Sequence, residues 1–464
     1  MRSKLFSGKS GFFVPALTFL VTLLIFSFGC QKSAATFDNP GTTTPETNTS
    51  DSLTVSDSTT TVDSTTSDTV STISTSGTSR VINVGSGSGS LTIDGSNLVI
   101  NGSKSSFQNG DVVKIKSGSY SDITIKNISV SDGTRVTIVN DGGLVLLDGT
   151  KQMTLSDLNN VTISGTGVSA DGRGFVFQNN SYRAVVLSGT VNNFTLQNAY
   201  FKNVSDYVIT YSALNSKVYT GSDDSYTSNL AFLNIDAENV STLIQLDGDI
   251  NTANFTGLVK GIEIAHISCI NSPNIGSVVY MGDADNYNIH DNYVNNVNTS
   301  NNNHNGIFFI HGNGKFYNNK ITSHQGNGLR AWIYSISGTS NVEIYNNIVY
   351  NSRKYSAFEV QVPAYMYATS VFAPANAKVY NNTVGKMNTE GDSFPGRLLD
   401  VYNTYGTLQV SNNLVFSNND NQILNNMSST TITNTNNVYV SAESDAIVNT
   451  TSFTSKISGV GASL

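Results

Sequence analysis

Cysteine, proline, tryptophan and charge are all scarce in this chain. Its 464 residues hold two Cys, seven Pro, one Trp and five His, and only 12% are charged. Two Cys cannot build a disulfide framework, so stability must come from packing and hydrogen bonding. The low Pro content leaves nearly every backbone N–H free to donate into strand ladders. No long segment carries apolar residues at a helical period, which argues against a helical bundle. Lys and Arg number 25 against 33 Asp and Glu, and no basic run occurs, so nucleic acid is not an expected partner. Asn, Ser, Gly, Val and Ile fill the chain instead, the composition of short strands and tight turns.

One six-residue phrase returns five times. It reads Ile289-His-Asp-Asn-Tyr-Val294, Phe316-Tyr-Asn-Asn-Lys-Ile321, Ile344-Tyr-Asn-Asn-Ile-Val349, Val379-Tyr-Asn-Asn-Thr-Val384 and Val410-Ser-Asn-Asn-Leu-Val415. The steps between first residues are 27, 28, 35 and 31. A period in that range marks a solenoid or propeller. Each phrase suits two short strands joined by a bend, because Asn tolerates the left-handed backbone a bend needs. Stacked coils would let Asn292, Asn319, Asn347, Asn382 and Asn413 form an amide ladder. The unit reads as one coil of a parallel β-helix. At about 30 residues per coil, residues 80–464 would give an all-β domain of about 10–12 coils, some 55–60 Å long.

The front of the chain is different. Arg2, Lys4 and Lys9 precede an apolar run over 12–28, the pattern of a secretory signal. The run ends at Gly29-Cys30, which resembles a bacterial lipoprotein lipobox. That resemblance implies a signal peptide over 1–29, lipidation of Cys30, and a protein held to the outer membrane on its periplasmic or cell-surface side. Residues 30–79 are rich in Ser and Thr, and such a segment cannot bury enough apolar surface to order itself. It reads as a tether with a span of roughly 40 Å. Short Asp-Ser/Thr motifs at Asp51, Asp57, Asp63 and Asp68 resemble the O-glycosylation motif of Bacteroidetes. With Cys30 lipidated, Cys269, inside an apolar run, reads as a small buried filler.

Several strands of the body carry a further resemblance. Gly110-Asp-Val-Val-Lys-Ile-Lys-Ser-Gly-Ser-Tyr120 with Ile123-Thr-Ile125 resembles the opening coils of the right-handed parallel β-helix superfamily. That superfamily includes pectate lyases, polygalacturonases, chondroitinase-type lyases and tailspikes. Val438-Tyr-Val440 and a segment over 453–461 resemble its closing coil, and an N-terminal cap is expected within about 80–110, because open solenoid ends need covering. The resemblance implies a single-stranded right-handed parallel β-helix whose strand before the Asn phrase lies on a saccharide-binding sheet. It does not name a reaction, since fold does not imply function.

Alternation along those strands assigns their faces. Leu329, Ala331, Ile333, Phe358, Val360, Val362, Leu399 and Val401 point inward. One outer column then reads Phe308, Arg330, Glu359, Asp400, and its neighbour Ile310, Trp332, Gln361, Tyr402, with Asp247 and Tyr280 two coils back. Glu359 and Asp400 on adjacent rungs, about 5 Å apart, suit the nucleophile and acid/base of a retaining glycosidase. Alternatively Arg330 neutralises a uronate while His304, His324, Lys354 or Tyr355, read as rim residues, removes a proton as a lyase requires. Trp332, Tyr402 and Tyr280 would stack on sugar rings, with Gln361 and His304 as further substrate contacts. A cross-strand ion ladder explains Arg330, Glu359 and Asp400 without any substrate. The residues over 363–377 make the longest coil; Tyr365, Met366, Tyr367 and Phe372 there could wall a groove. His266 and His290 read as structural. Asp283 and Asp285 have a spacing that suits Ca²⁺, or a polar turn; no cofactor is identified. The motif sets of polygalacturonases and of the known lyases are absent. The sequence thus supports a lipoprotein that binds a polysaccharide and could cleave it as lyase or glycosidase, with a non-catalytic adhesive or structural one as the alternative.

Overall fold

The computed structural model describes residues 73–76 and 79–464, apart from 132, 167–171, 251–253, 337 and 363–372. Cys30, the leader, most of the tether, and Tyr365, Met366, Tyr367 and Phe372 lie outside those residues.

Strands pair in parallel with the strands about one coil before and after them, and continue around corners, so most of them join one 29-stranded sheet with three faces. The phrase forms a corner of each coil. Its first Asn (Asn318, Asn346, Asn381, Asn412) takes a positive φ of 53–57°, and the chain turns from the second face to the third. The second Asn points inward and is buried. Asn292 Nδ2 donates to Asn319 Oδ1 at 2.8 Å, Asn319 to Asn347 at 3.0 Å, Asn347 to Asn382 at 3.0 Å and Asn382 to Asn413 at 2.9 Å. Asn437 adds an unforeseen sixth rung at 2.7 Å. Each Oδ1 from Asn319 onward also accepts the backbone N–H of the preceding ladder Asn, and from Asn319 to Asn413 each Nδ2 also reaches a carbonyl one coil back. The buried amides are thus fully used, which removes the cost of burying them. At the preceding corner His266 supplies the positive φ and Ile267 N donates to Asn292 Oδ1, so His266 is structural. On the outer side His290, Tyr317, Tyr345 and Tyr380 stack at 4.8, 4.8 and 4.9 Å.

The first face holds the candidate site. Its central column runs Thr92, Thr124, Thr154, Val186, Thr210, Gln245, Tyr280, Phe309, Arg330, Glu359, Asp400, Asn425, each the Cα partner of the next. Those twelve rungs alternate with inward neighbours such as Leu329, Ala331, Phe358, Val360, Leu399 and Val401, which join one continuous core. Gly312 and Gly314 have φ of 123° and 149° and lie against the Ala284 and Tyr287 carbonyls, where any Cβ would collide.

At the N-terminal end Ile73–Ser76 pairs antiparallel with Ser79–Val84, and Leu98, Ile100 and Phe107 add to the core. The C-terminal segment departs from expectation. It adds no rung: Phe453, Val460 and Ala462 pack with Ile348, Leu414 and Phe416, and Ala462 N donates to Thr383 Oγ1. Ile348, Thr383 and Leu414 are apolar or weakly polar on the outer side of the third face, and the segment buries them. Cys269 is fully buried, as a filler would be.

Candidate functional site

Arg330, Glu359 and Asp400 stand on consecutive rungs because Leu329–Phe358–Leu399 and Ala331–Val360–Val401 lock the register from inside. Arg330 Nε donates to Glu359 Oε1 at 2.7 Å, and Gln361 Nε2 donates to the same oxygen at 2.7 Å. Glu359 Oε2 lies 3.3 Å from His304 Nε2. His304 comes from the loop preceding Gly306–Tyr317; its Nε2 is also 3.0 Å from Asn327 Oδ1. Its ring stacks on Tyr355 at 3.9 Å, with Phe394 beyond. Tyr355 holds a φ of 73°, an unusual conformation for a bulky residue. Glu359 is completely buried. Burial pushes its pKa up, but the His304 contact and the Arg330 charge outweigh burial and hold the carboxyl below its usual range.

Asp400 lies in a different environment. Its Oδ1 accepts from Ser356 Oγ at 2.9 Å and Asn425 Nδ2 at 3.1 Å. Burial, with the Glu359 charge adding to it, raises its pKa to about 6 despite those bonds. Two neighbouring carboxyls are therefore driven apart, one held ionised and one keeping its proton up to a pH of about 6. Tyr402, half-buried, is pushed up to about 12 by burial and then by Glu359 and Asp400.

An aromatic cluster adjoins the ion network. Trp332 stacks on His311 at 4.2 Å and 5°, Phe309 meets both edge-on, and Tyr280 meets Phe309 and His311. The Arg330 guanidinium lies 5.0 Å from the Phe309 ring centroid. His311 donates from Nδ1 to Gly282 O, and burial lowers its pKa to about 3. Its Nε2 and the Trp332 Nε1 are buried with no partner among the described residues.

Several expectations need correction. Phe309 and His311, not Phe308 and Ile310, occupy the outer columns; Phe308 and Ile310 are inside. The run 307–310 is apolar throughout, so alternation could not choose its face. His311 was missed for that reason. Gln245, not Asp247, is the rung partner of Tyr280. His324 is not on the rim: it ends a third-face strand, pairs between Val297 and Ser352, is fully buried, and burial lowers its pKa to about 3. Lys354 makes ion pairs with Glu390 and Asp392 at 3.6 and 3.5 Å rather than with the network. Asp283 and Asp285 do not form a turn but sit within Val279–His290. Asp283 is buried and accepts from Tyr334 Oη at 2.7 Å, and burial raises its pKa well above the carboxylate range. Asp285 accepts from Asn313 at 2.8 Å.

No family model matches the chain, and no curated protein matches it. Among solved structures it is similar to a PL6 family polysaccharide lyase from Pseudopedobacter saltans, at 11% identity and a TM-score of 0.40, over 77% of this chain and 96% of that one. It is also similar to the A-module of a mannuronan C-5 epimerase from Azotobacter vinelandii, at 12% identity and a TM-score of 0.27, over 72% and 91%.

Proposed function

We propose that this chain is an extracytoplasmic protein, lipid-anchored through Cys30, that binds a polysaccharide on the outer face carrying Tyr280, Phe309, Arg330 and Trp332. The observation that carries the reading is the aromatic cluster beside a buried ion network on one flat face. Sugar rings offer apolar faces to aromatic side chains and hydroxyls to polar ones, and both kinds of partner meet here. The anchor rests on the leader sequence alone.

The complete burial of Glu359, which cannot serve as a nucleophile in that state, speaks against a retaining glycosidase on this face. The test is affinity electrophoresis of the full chain against acidic and neutral polysaccharides. Trp332→Ala should weaken retardation by about tenfold or more. Equal retardation of parent and variant would remove the aromatic face from the account. Palmitate labelling that survives Cys30→Ser would remove the anchor.

A further inference from the structure

Oε1 of Glu359 is engaged by Arg330 and Gln361, and its Oε2 lies 3.3 Å from His304 Nε2 as a charge contact, so its reach ends at its neighbours. Its chemical effect falls on His304. Two oxygens, Glu359 Oε2 at 3.3 Å and Asn327 Oδ1 at 3.0 Å, face His304 Nε2. Asn327 cannot offer its amide nitrogen instead, because Nδ2 donates to Ser356 O at 2.9 Å. The Asn327 acceptor, with the Glu359 charge beside it, keeps the proton on Nε2, which leaves Nδ1 as the lone pair. No hydrogen bond reaches Nδ1 among the described residues, the side chain keeps 28% of its exposure, and Tyr355 fixes the ring plane. A buried carboxylate that sets the tautomer of a partly exposed imidazole is the arrangement of a general base. On the next rung the two hydrogen bonds to Asp400 both go to Oδ1, and Oδ2 has none among the described residues. Arg330 uses Nε and Nη1, toward Glu359 and the His304 carbonyl, and Nη2 is uncommitted among the described residues.

We propose that His304 Nδ1 is a proton acceptor and Asp400 a proton donor that together cleave a uronate-containing chain by elimination, with Glu359 and Asn327 as positioning residues. The inference rests on the glycan reading above. Arg330 Nη2 meets the uronate carboxylate, and His304 Nδ1 takes the proton from the adjacent ring carbon, C5. The electron pair left behind forms the C4–C5 double bond as the C4–O bond breaks. That bond's electrons stay on the departing oxygen, which takes the proton of Asp400. One fragment gains a hydroxyl and the other an unsaturated end; His304 then loses its proton to solvent and Asp400 regains one, so nothing else is consumed.

Two measurements on the full chain test this. ¹⁵N correlation spectra should show His304 protonated on Nε2 near neutral pH, and Glu359→Gln should mix the tautomers. Incubation with polymannuronate and polygalacturonate should yield ultraviolet-absorbing unsaturated ends. His304→Gln and Asp400→Asn should each lower that yield by about a hundredfold or more, with retardation by the polymer kept. Glu359→Gln should lower it and move the acid limb of the pH profile, which a purely structural role would not do. Nδ1-protonated His304 overturns the assignment, as does retarded protein that makes no unsaturated ends, and in both cases the glycan reading stands. Failure of the parent to bind any polymer removes that reading, and this one with it.

Discussion

The corner and the first face are built on the same coils, yet they differ. At the corner one residue repeats from Asn292 to Asn437, with the same bond at 2.7–3.0 Å each time. On the first face the outward column begins monotonously with Thr92, Thr124 and Thr154, then loses all repetition from Gln245 to Asn425. The backbone is equally satisfied in both places. A corner side chain faces inward, where each coil poses the same hydrogen-bonding problem and Asn is its shared answer. An outward side chain faces no such problem, and Thr, a good strand former, suffices. Where Tyr, Phe, Arg, Glu and Asp replace Thr, strand propensity alone does not account for them.

Breaking the corner should have the largest effect. Asn347→Ala would strip partners from Asn319, Asn382 and the Phe316 carbonyl at once, and should cost about 4–5 kcal/mol in urea unfolding. A loss below about 1 kcal/mol would mean the ladder is incidental.

The interior of the third face gives a pH-dependent contrast. His324 is held near a pKa of about 3 against an ordinary 6.5, so the unfolded chain binds the extra proton first as pH falls. Stability is intact above 6.5 and drains away below it. His324→Leu should therefore leave unfolding at pH 7.5 little changed and gain about 3 kcal/mol over the parent at pH 4. Parallel pH curves for parent and variant would refute it.

Asp400 sharpens the comparison from the other side, with the opposite sign. Its pKa of about 6 lies above the unfolded value, so its protonated form is favoured by folding and its stabilisation is lost as pH rises through 6. Asp400→Asn should melt with the parent at pH 3.5 and be more stable than it at pH 8, by about 3 kcal/mol. A face residue made more stable by its removal would mark a strain that a scaffold has no use for.

The corner was legible because its Asn pair recurs and because left-handed backbone and amide ladders both suit Asn. The outward faces of 329–333, 358–362 and 398–402 were legible because polar and apolar residues alternate there. Gly306–Tyr317 was not, since its apolar run fits either face and only pairing to Val279–His290 and Asn327–Ser335 decides. His324 misled in a different way. A polar residue before Gln325-Gly326 resembles a loop, but its rung partners Val297 and Ser352 carry it inside. The C-terminal segment was misread because covering the outside of Ile348 and Leu414 is a demand of tertiary packing that no local pattern announces. The roles of His304 and Glu359 depend on a loop laid over a strand more than fifty positions later, which spacing cannot reveal.

The stack of Trp332 on His311 makes the molecule its own optical reporter. All indole emission comes from one ring, since the chain has a single Trp. A protonated imidazole in contact would quench that ring, but His311 stays neutral down to a pH of about 3. Emission should therefore be level across ordinary buffers. A change on adding a solute would then register an event on the first face itself, with no label attached.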